Sequence, residues 1–206
     1  TQGGALVKTY SHPDKSPKVT GGTNAKGVIE SMSVSEGMTF DCDLSEAEVN
    51  LRVAVILRKL LLERGYDVLM LRNEADVQLD NIARTVISNN FANIHIAIHF
   101  DGDYEKYDKG VFYCGVPNEL TFLQNVKAHR NESERLGQCL IDGLKEAELS
   151  VYSNGRIELD LTQTAYSTIP SVDIELGNHC TLPTKENLER RAKGILWGVE
   201  KYFEEK

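Results

Sequence analysis

The run Ile94-His95-Ile96-Ala97-Ile98-His99-Phe100-Asp101 constrains this chain more than any other stretch. Asn89-Asn90 precede it and Asp101-Gly102-Asp103 follow it, so a short apolar run between turn formers predicts a buried β-strand. Such a strand carries His99 to its C-terminal end, where ligands collect in open α/β sheets. Two further apolar runs end in related chemistry. Ala5-Leu6-Val7-Lys8-Thr9-Tyr10-Ser11-His12 finishes in a histidine, and Ile169-Pro170-Ser171-Val172-Asp173-Ile174-Glu175 finishes in a carboxylate before Leu176-Gly177. Three strands ending in His, His and Glu predict one site built from distant parts of the chain.

The segments between these runs set the architecture. Residues 45–64 predict a helix: Ser45 and Glu48 have capping-box spacing, Leu51, Val55, Leu57, Leu61 and Leu62 supply an apolar stripe, and Gly65 suits the C′ position. Residues 66–71 then predict a strand, and residues 76–90 a second helix with Val77, Ile82, Val86 and Ile87 on its apolar face. A fourth strand is expected over residues 110–116, after a polar loop at 101–109, and a third helix over about 129–148 with Leu136, Cys139, Leu140 and Leu144 on one face. Residues 149–168 read as irregular with a short strand at 157–161, and residues 184–203 as the last helix. Neither a repeat nor a linker interrupts the chain. The expected fold is therefore α/β, a single domain over residues 1–206, with a mostly parallel twisted sheet of about five to six strands and helices on both faces.

Residues 13–43 stand apart, rich in Gly, Ser, Thr and Lys and without helical or strand periodicity. They hold Gly21, Gly22, Gly27 and Gly37 but no Gly-Lys-Ser/Thr, which excludes a phosphate loop of Walker type. A loop of this length in a compact domain is usually functional, so it is expected to lie over the site, with a short hairpin around 32–40. Charge narrows the function classes further. With 23 basic against 31 acidic side chains the net charge is −8, which argues against a nucleic-acid or anionic-membrane surface. No segment is apolar for long enough to span a bilayer. Cys42, Cys114, Cys139 and Cys180 lack Cys-x-x-Cys spacing, so a zinc knuckle is not expected and they read as small buried residues or free thiols.

Several blocks, in order, resemble a known family. Glu46-Ala47-Glu48-Val49-Asn50-Leu51, then Leu60-Leu61-Leu62-Glu63-Arg64-Gly65-Tyr66-Asp67-Val68 and Arg72, are followed by Arg84, Ala92-Asn93 and Ile98-His99. Gly110-Val111-Phe112-Tyr113 and the block from Ile169 to Gly177 complete the set. Over nearly its whole length the chain resembles the zinc-dependent N-acetylmuramoyl-L-alanine amidases called amidase type 3, which cleave peptidoglycan. The resemblance implies one Zn2+ per chain held by His12, Glu46 and His99, with Glu175 as the separate catalytic carboxylate. The family's usual Gly-His-Gly-Gly is Tyr10-Ser11-His12-Pro13-Asp14 here, and the long 13–43 loop sets the first two ligands unusually far apart. Implied with it are hydrolysis of the amide between N-acetylmuramic acid and L-alanine, the glycan and stem peptide as partners, and a secreted, wall-associated or phage-delivered location as autolysin or endolysin. An acidic catalytic domain on a polyanionic wall further implies a separate wall-binding domain.

The chemistry of these side chains is consistent with that role, and each has an ordinary alternative. A catalytic zinc takes three N or O ligands and keeps a fourth position for water, and a second carboxylate must then move the water's proton. His99 could instead be a hydrogen-bonded core histidine; His95 shares its face but lies ~13 Å away along the strand, as a packing residue. His12 could be a loop residue beside Pro13. Glu46 competes with Glu30, Glu36 and Glu48, and could merely compensate the helix dipole. Glu175 could pair with Arg156, whose other candidate role is to bind substrate. His129 reads as solvated and His179 as surface, while Cys180 has no defined base for thiol catalysis. Two rival functions stand beside the amidase: a zinc peptidase cutting within the stem peptide, and a non-catalytic wall-binding domain.

Overall fold

A computed structural model describes residues 8–21, 24–75, 77–103 and 105–204. It opens with strand β1 (Lys8–Tyr10), which pairs antiparallel with β2 (Glu30–Met32) in a two-stranded sheet of its own. The expected beginning of the first strand at Ala5, Leu6 and Val7 lies outside the described residues. Helix α1 (Glu46–Glu63) follows, its N-terminus capped by the Ser45 hydroxyl, which accepts from the Glu48 amide at 3.3 Å. Its buried stripe runs Val49, Val53, Leu57 and Leu61 at four-residue spacing, which keeps Leu57 and Leu61 of the expected stripe and adds Val49 and Val53. Val55 and Leu62 are exposed instead. An isolated bridge between Thr39 and Ser45 and a Phe40 amide bond to the Leu44 carbonyl (2.9 Å) form the turn before α1, so the hairpin expected at 32–40 is replaced by a strand before it and a tight turn after it.

Helix α2 (Asn81–Phe91) starts later than expected because Asp80 caps it, its carboxylate accepting from the Ala83 amide at 2.7 Å. The expected start at Asp76 is outside the described residues. Next come β3 (His95–Asp101), β4 (Val111–Gly115), a 3-10 turn (Asn118–Phe122), α3 (Gln124–Glu146), β5 (Val151–Glu158), the short α4 (Thr162–Tyr166), β6 (Ser171–Asn178) and α5 (Lys185–Glu204). The main sheet has the order β3-β6-β4-β5. The β3–β6 and β4–β5 pairs are parallel and the β4–β6 pair is antiparallel. That one reversal has a simple origin: no helix separates β3 from β4, so the loop between them turns the chain back.

Two expectations about strands change. β5 covers eight residues where only 157–161 had been expected, bent where Ser153 and Gly155 take positive φ. Residues 66–71 form no ladder. Tyr66 stacks on Phe203 (5.7 Å) and Arg72 binds the Ala47 carbonyl, which moors this segment to α5 and α1. A cleft of about 960 Å³ lies between it and β3, lined by Leu57, Leu61, Val68, Met70, Ile96 and Ile98. Among the described residues the main sheet accordingly has four strands, and β3 is an edge.

Strand alternation gives the main sheet two unlike faces. Phe100, Val172, Ile174, Leu176 and Tyr113 belong to one apolar cluster with Val49 and Val53 of α1, Leu140 and Leu144 of α3, and Ile195 and Val199 of α5. Helices α3 and α5 approach backbone to backbone: a Cβ on Gly198 would stand 2.6 Å from Leu140 Cα. The opposite face carries His95, His99, Ser171, Asp173, Glu175 and Cys114. Gln163 of α4 reaches across it to Ser171 Oγ at 2.9 Å, so helices cover both faces.

Candidate metal centre and active site

Parallel pairing sets His99 opposite Glu175 and Ala97 opposite Asp173, while antiparallel pairing sets Phe112 and Cys114 against the same two acids. His99, Asp173, Glu175 and Cys114 therefore project from one face. Glu46 enters from the first turn of α1, and β3 being an edge makes this possible. The Phe100 amide has no strand to bond, and Glu46 Oε1 accepts from it at 3.3 Å while standing 2.8 Å from His99 Nδ1. Its other contacts come from the Asn50 amide group (3.0 Å, to Oε1) and the Met38 backbone amide (2.9 Å, to Oε2). Met38 belongs to the 13–43 segment, so the C-terminal part of that segment does reach the site. On the far side of the imidazole, His99 Nε2 lies 3.6 Å from Asp173 Oδ2.

The charges are unequal to their surroundings. Burial works against ionisation of Glu46, but His99, the Met38 amide and Asn50 bring its pKa down to about 2. Burial likewise opposes a charged His99, and Asp173 and Glu46 overcome it, raising the imidazole above its ordinary value. Burial pushes Glu175 well above the carboxylate range, and the neighbouring Asp173, Glu46 and Asp101 push it the same way. Glu175 Oε2 is buried and has no hydrogen-bond partner. Cys114, Asp173 and Glu175 each place one donor atom within 4.8 Å of the others. Burial raises the Cys114 thiol, which keeps its proton and donates it towards Asp173 Oδ1 at 3.8 Å. One imidazole among three buried carboxylates, one of them with an unsatisfied oxygen, is a donor set with surplus negative charge. A divalent cation fits it.

His12 is not among the residues brought to Glu46 and His99. Because β1 pairs with β2 and not with the main sheet, the chain delivers His12 to the segment between β5 and α4. Both ring nitrogens are engaged there: Nδ1 lies 2.8 Å from Ser16 Oγ and Nε2 lies 2.8 Å from Asp160 Oδ1. Arg156 pairs with Glu134 (2.6 Å) and Glu158 (3.0 Å) rather than with Glu175. Glu48 turns out to Arg52 at 2.6 Å, and His95 packs inward with Ser171 Oγ 3.5 Å away.

A sequence profile described as N-acetylmuramoyl-L-alanine amidase matches residues 21–198. The chain belongs to this amidase family. Solved amidase structures share the fold. The apo form of Ami1 from Mycobacterium abscessus is 19% identical, with a TM-score of 0.74 over 85% of this chain and 86% of that one. CwlD from Clostridioides difficile, solved with the GerS lipoprotein, is 22% identical, with a TM-score of 0.68 over 84% of this chain and 94% of that one. No curated protein sequence matches.

Within this amidase-family chain the profile match begins at residue 21, beyond His12. Asp173 is the site residue that sequence reading passed over. Its signal was nonetheless present: an acid two positions before Glu175 in an otherwise apolar strand must share the face of Glu175. Among the described residues, no helix is long and apolar enough to cross a membrane.

Proposed function

We propose that this chain hydrolyses the amide between the lactyl group of N-acetylmuramic acid and the L-alanine of the peptidoglycan stem peptide, using one zinc ion at the sheet's C-terminal edge. The observation that carries this reading is the buried Glu46–His99–Asp173–Glu175 cluster in a chain of the amidase family. Glu46 and His99 Nδ1 would hold the ion, while Asp173, beside Nε2 on the other edge of the ring, would orient the imidazole. When bound, such an ion polarises the amide carbonyl and lowers the pKa of its water to ~7.

The protein's own groups do the remaining work. Glu175, with Oε2 free of other partners, takes the proton of the attacking water and returns it to the leaving nitrogen. Asn50 and the Met38 amide fix the Glu46 carboxylate, so its oxygens are oriented before any ion arrives. The part of the 13–43 segment at Met38, together with the 101–109 loop, would contact the glycan and stem peptide. Such an activity is exercised on the wall, by a secreted, wall-associated or phage-delivered protein, and a separate wall-binding domain would aid docking.

Digestion of purified peptidoglycan with and without chelator tests the proposal. New N-terminal L-alanine, lost on chelation and restored by zinc, is the expected result. New termini within the stem peptide would replace the amidase with the peptidase. No new termini, with retained binding to the wall, would replace it with a binding domain.

A further inference from the structure

Outside the Glu46–His99 centre a second group of donors meets at the rim. Three segments contribute: the turn before α1, the β3–β4 loop, and the residues leaving β6. His179 Nδ1 stands 2.8 Å from Asp41 Oδ1 and 3.6 Å from Cys180 Sγ. One donor atom each from Asp41, His179 and Cys180 lies within 4.8 Å of the other two. In a tetrahedral zinc site, bonds of ~2.3 Å to sulfur and ~2.0 Å to nitrogen put S and N about 3.5 Å apart, close to the spacing found. The other imidazole nitrogen, Nε2, is 3.9 Å from Asp103 Oδ1, the position of an outer carboxylate that orients a ligating histidine.

The backbone beneath these side chains is already fixed. The Asp41 amide donates to the His179 carbonyl at 3.0 Å. Asn178, fully buried, donates to Asp103 Oδ1 (2.9 Å) and to the Tyr107 carbonyl (2.9 Å), and its own oxygen accepts from the Cys180 amide at 3.1 Å. The donors are therefore held by packed structure rather than by independent loops. They include a thiol and an imidazole, which select a borderline or soft transition metal over Mg2+ or Ca2+.

We propose that Asp41, His179 Nδ1 and Cys180 form a second metal site, of zinc type, that ties the turn before α1 to the residues leaving β6 beside the active centre. Its fourth position faces solvent and takes water. Metal binding replaces the Cys180 S–H proton, which leaves to solvent, with a metal–sulfur bond; no oxidant or reductant is involved. The site is independent of the amidase reading, since it shares no donor with Glu46, His99, Asp173 or Glu175.

Cobalt titration of the full chain, stripped of metal and kept reduced with a phosphine, tests this. A thiolate-to-cobalt charge-transfer band should develop at one equivalent in the wild type. It should persist in the Glu46→Gln/His99→Asn double variant and vanish in Cys180→Ser and in His179→Gln, with far-ultraviolet circular dichroism unchanged. Metal analysis after zinc loading should give one ion fewer per chain in Cys180→Ser than in the wild type. Absence of the band in the wild type would overturn the site. So would a band that survives Cys180→Ser and disappears in Cys114→Ser, which would move the thiolate to the neighbourhood of Asp173.

Discussion

Two histidine–carboxylate pairs with the same 2.8 Å contact hold opposite kinds of position in this molecule. His12–Asp160 is closed. Its residues are buried, both imidazole nitrogens have partners, and the second Asp160 oxygen accepts from the Val19 amide at 2.7 Å. His99–Glu46 is open. Its imidazole remains about one-fifth exposed, its second nitrogen has only a 3.6 Å neighbour, and two further carboxylates crowd the same face. A closed pair has spent its hydrogen-bonding capacity on the fold, whereas an open pair with surplus negative charge keeps capacity for an ion and a substrate. The distinction between structural and chemical histidines lies in what is left unsatisfied, not in the partner.

The largest effect expected from this contrast is at His99. His99→Asn should reduce peptidoglycan hydrolysis to background, beyond the ~10–100-fold that loss of an outer partner costs, and should lower metal content by one ion per chain. Full metal content in that variant would remove His99 from the ligand set. Next is Glu175→Gln. The rate should fall by ~10²–10⁴, the range for a lost general base, while the ion is retained. The same variant should melt higher than the wild type in chelator, because it removes one of three crowded buried acids. An unchanged rate would take Glu175 out of the mechanism and leave it as a packing residue.

The closed pair gives the third test. Asp160→Ala strands the buried His12 imidazole and the part-buried Val19 amide, which at ~1–3 kcal/mol each should cost about 3 kcal/mol in chemical denaturation. Metal content per folded chain should not change. Loss of metal with stability intact would reverse the comparison and return His12 to the ligand set.

How far these assignments could be read from sequence follows from how local their causes are. The α1 start was legible because Ser45 acts on Glu48 three residues away, and the strand carrying His99 was legible because its turn formers flank it directly. The partner of His12 was not legible, since it depends on β1 choosing β2 rather than the main sheet, a tertiary competition with no local mark. Residues 66–71 failed for a similar reason. Their apolar pattern suits a strand, but the contacts of Tyr66 and Arg72 at either end decide where the segment lies. Glu46 was reached by resemblance; what makes it available, an edge strand with an unpaired amide at Phe100, appears only once the sheet order is known.

His95 sharpens the contrast as a third kind of histidine, and should give the smallest effect. It lies on the same face and strand as His99 but has no carboxylate against it. Burial first, and the Arg84 guanidinium second, push its pKa from 6.5 down to about 4. The folded protein therefore holds it neutral while the unfolded chain takes up a proton below about pH 6.5, so the unfolded state binds more protons between those values and stability falls as pH drops. From pH 7 to pH 5 the loss should be about 2 kcal/mol, from a shift of this size at 1.36 kcal/mol per unit. His95→Phe should flatten the stability profile over that window and leave metal content unchanged. A profile as steep as the wild type's would mean that His95 is solvated or paired when the protein is in solution, and that position along β3 does not separate it from His99 as the open and closed pairs are separated.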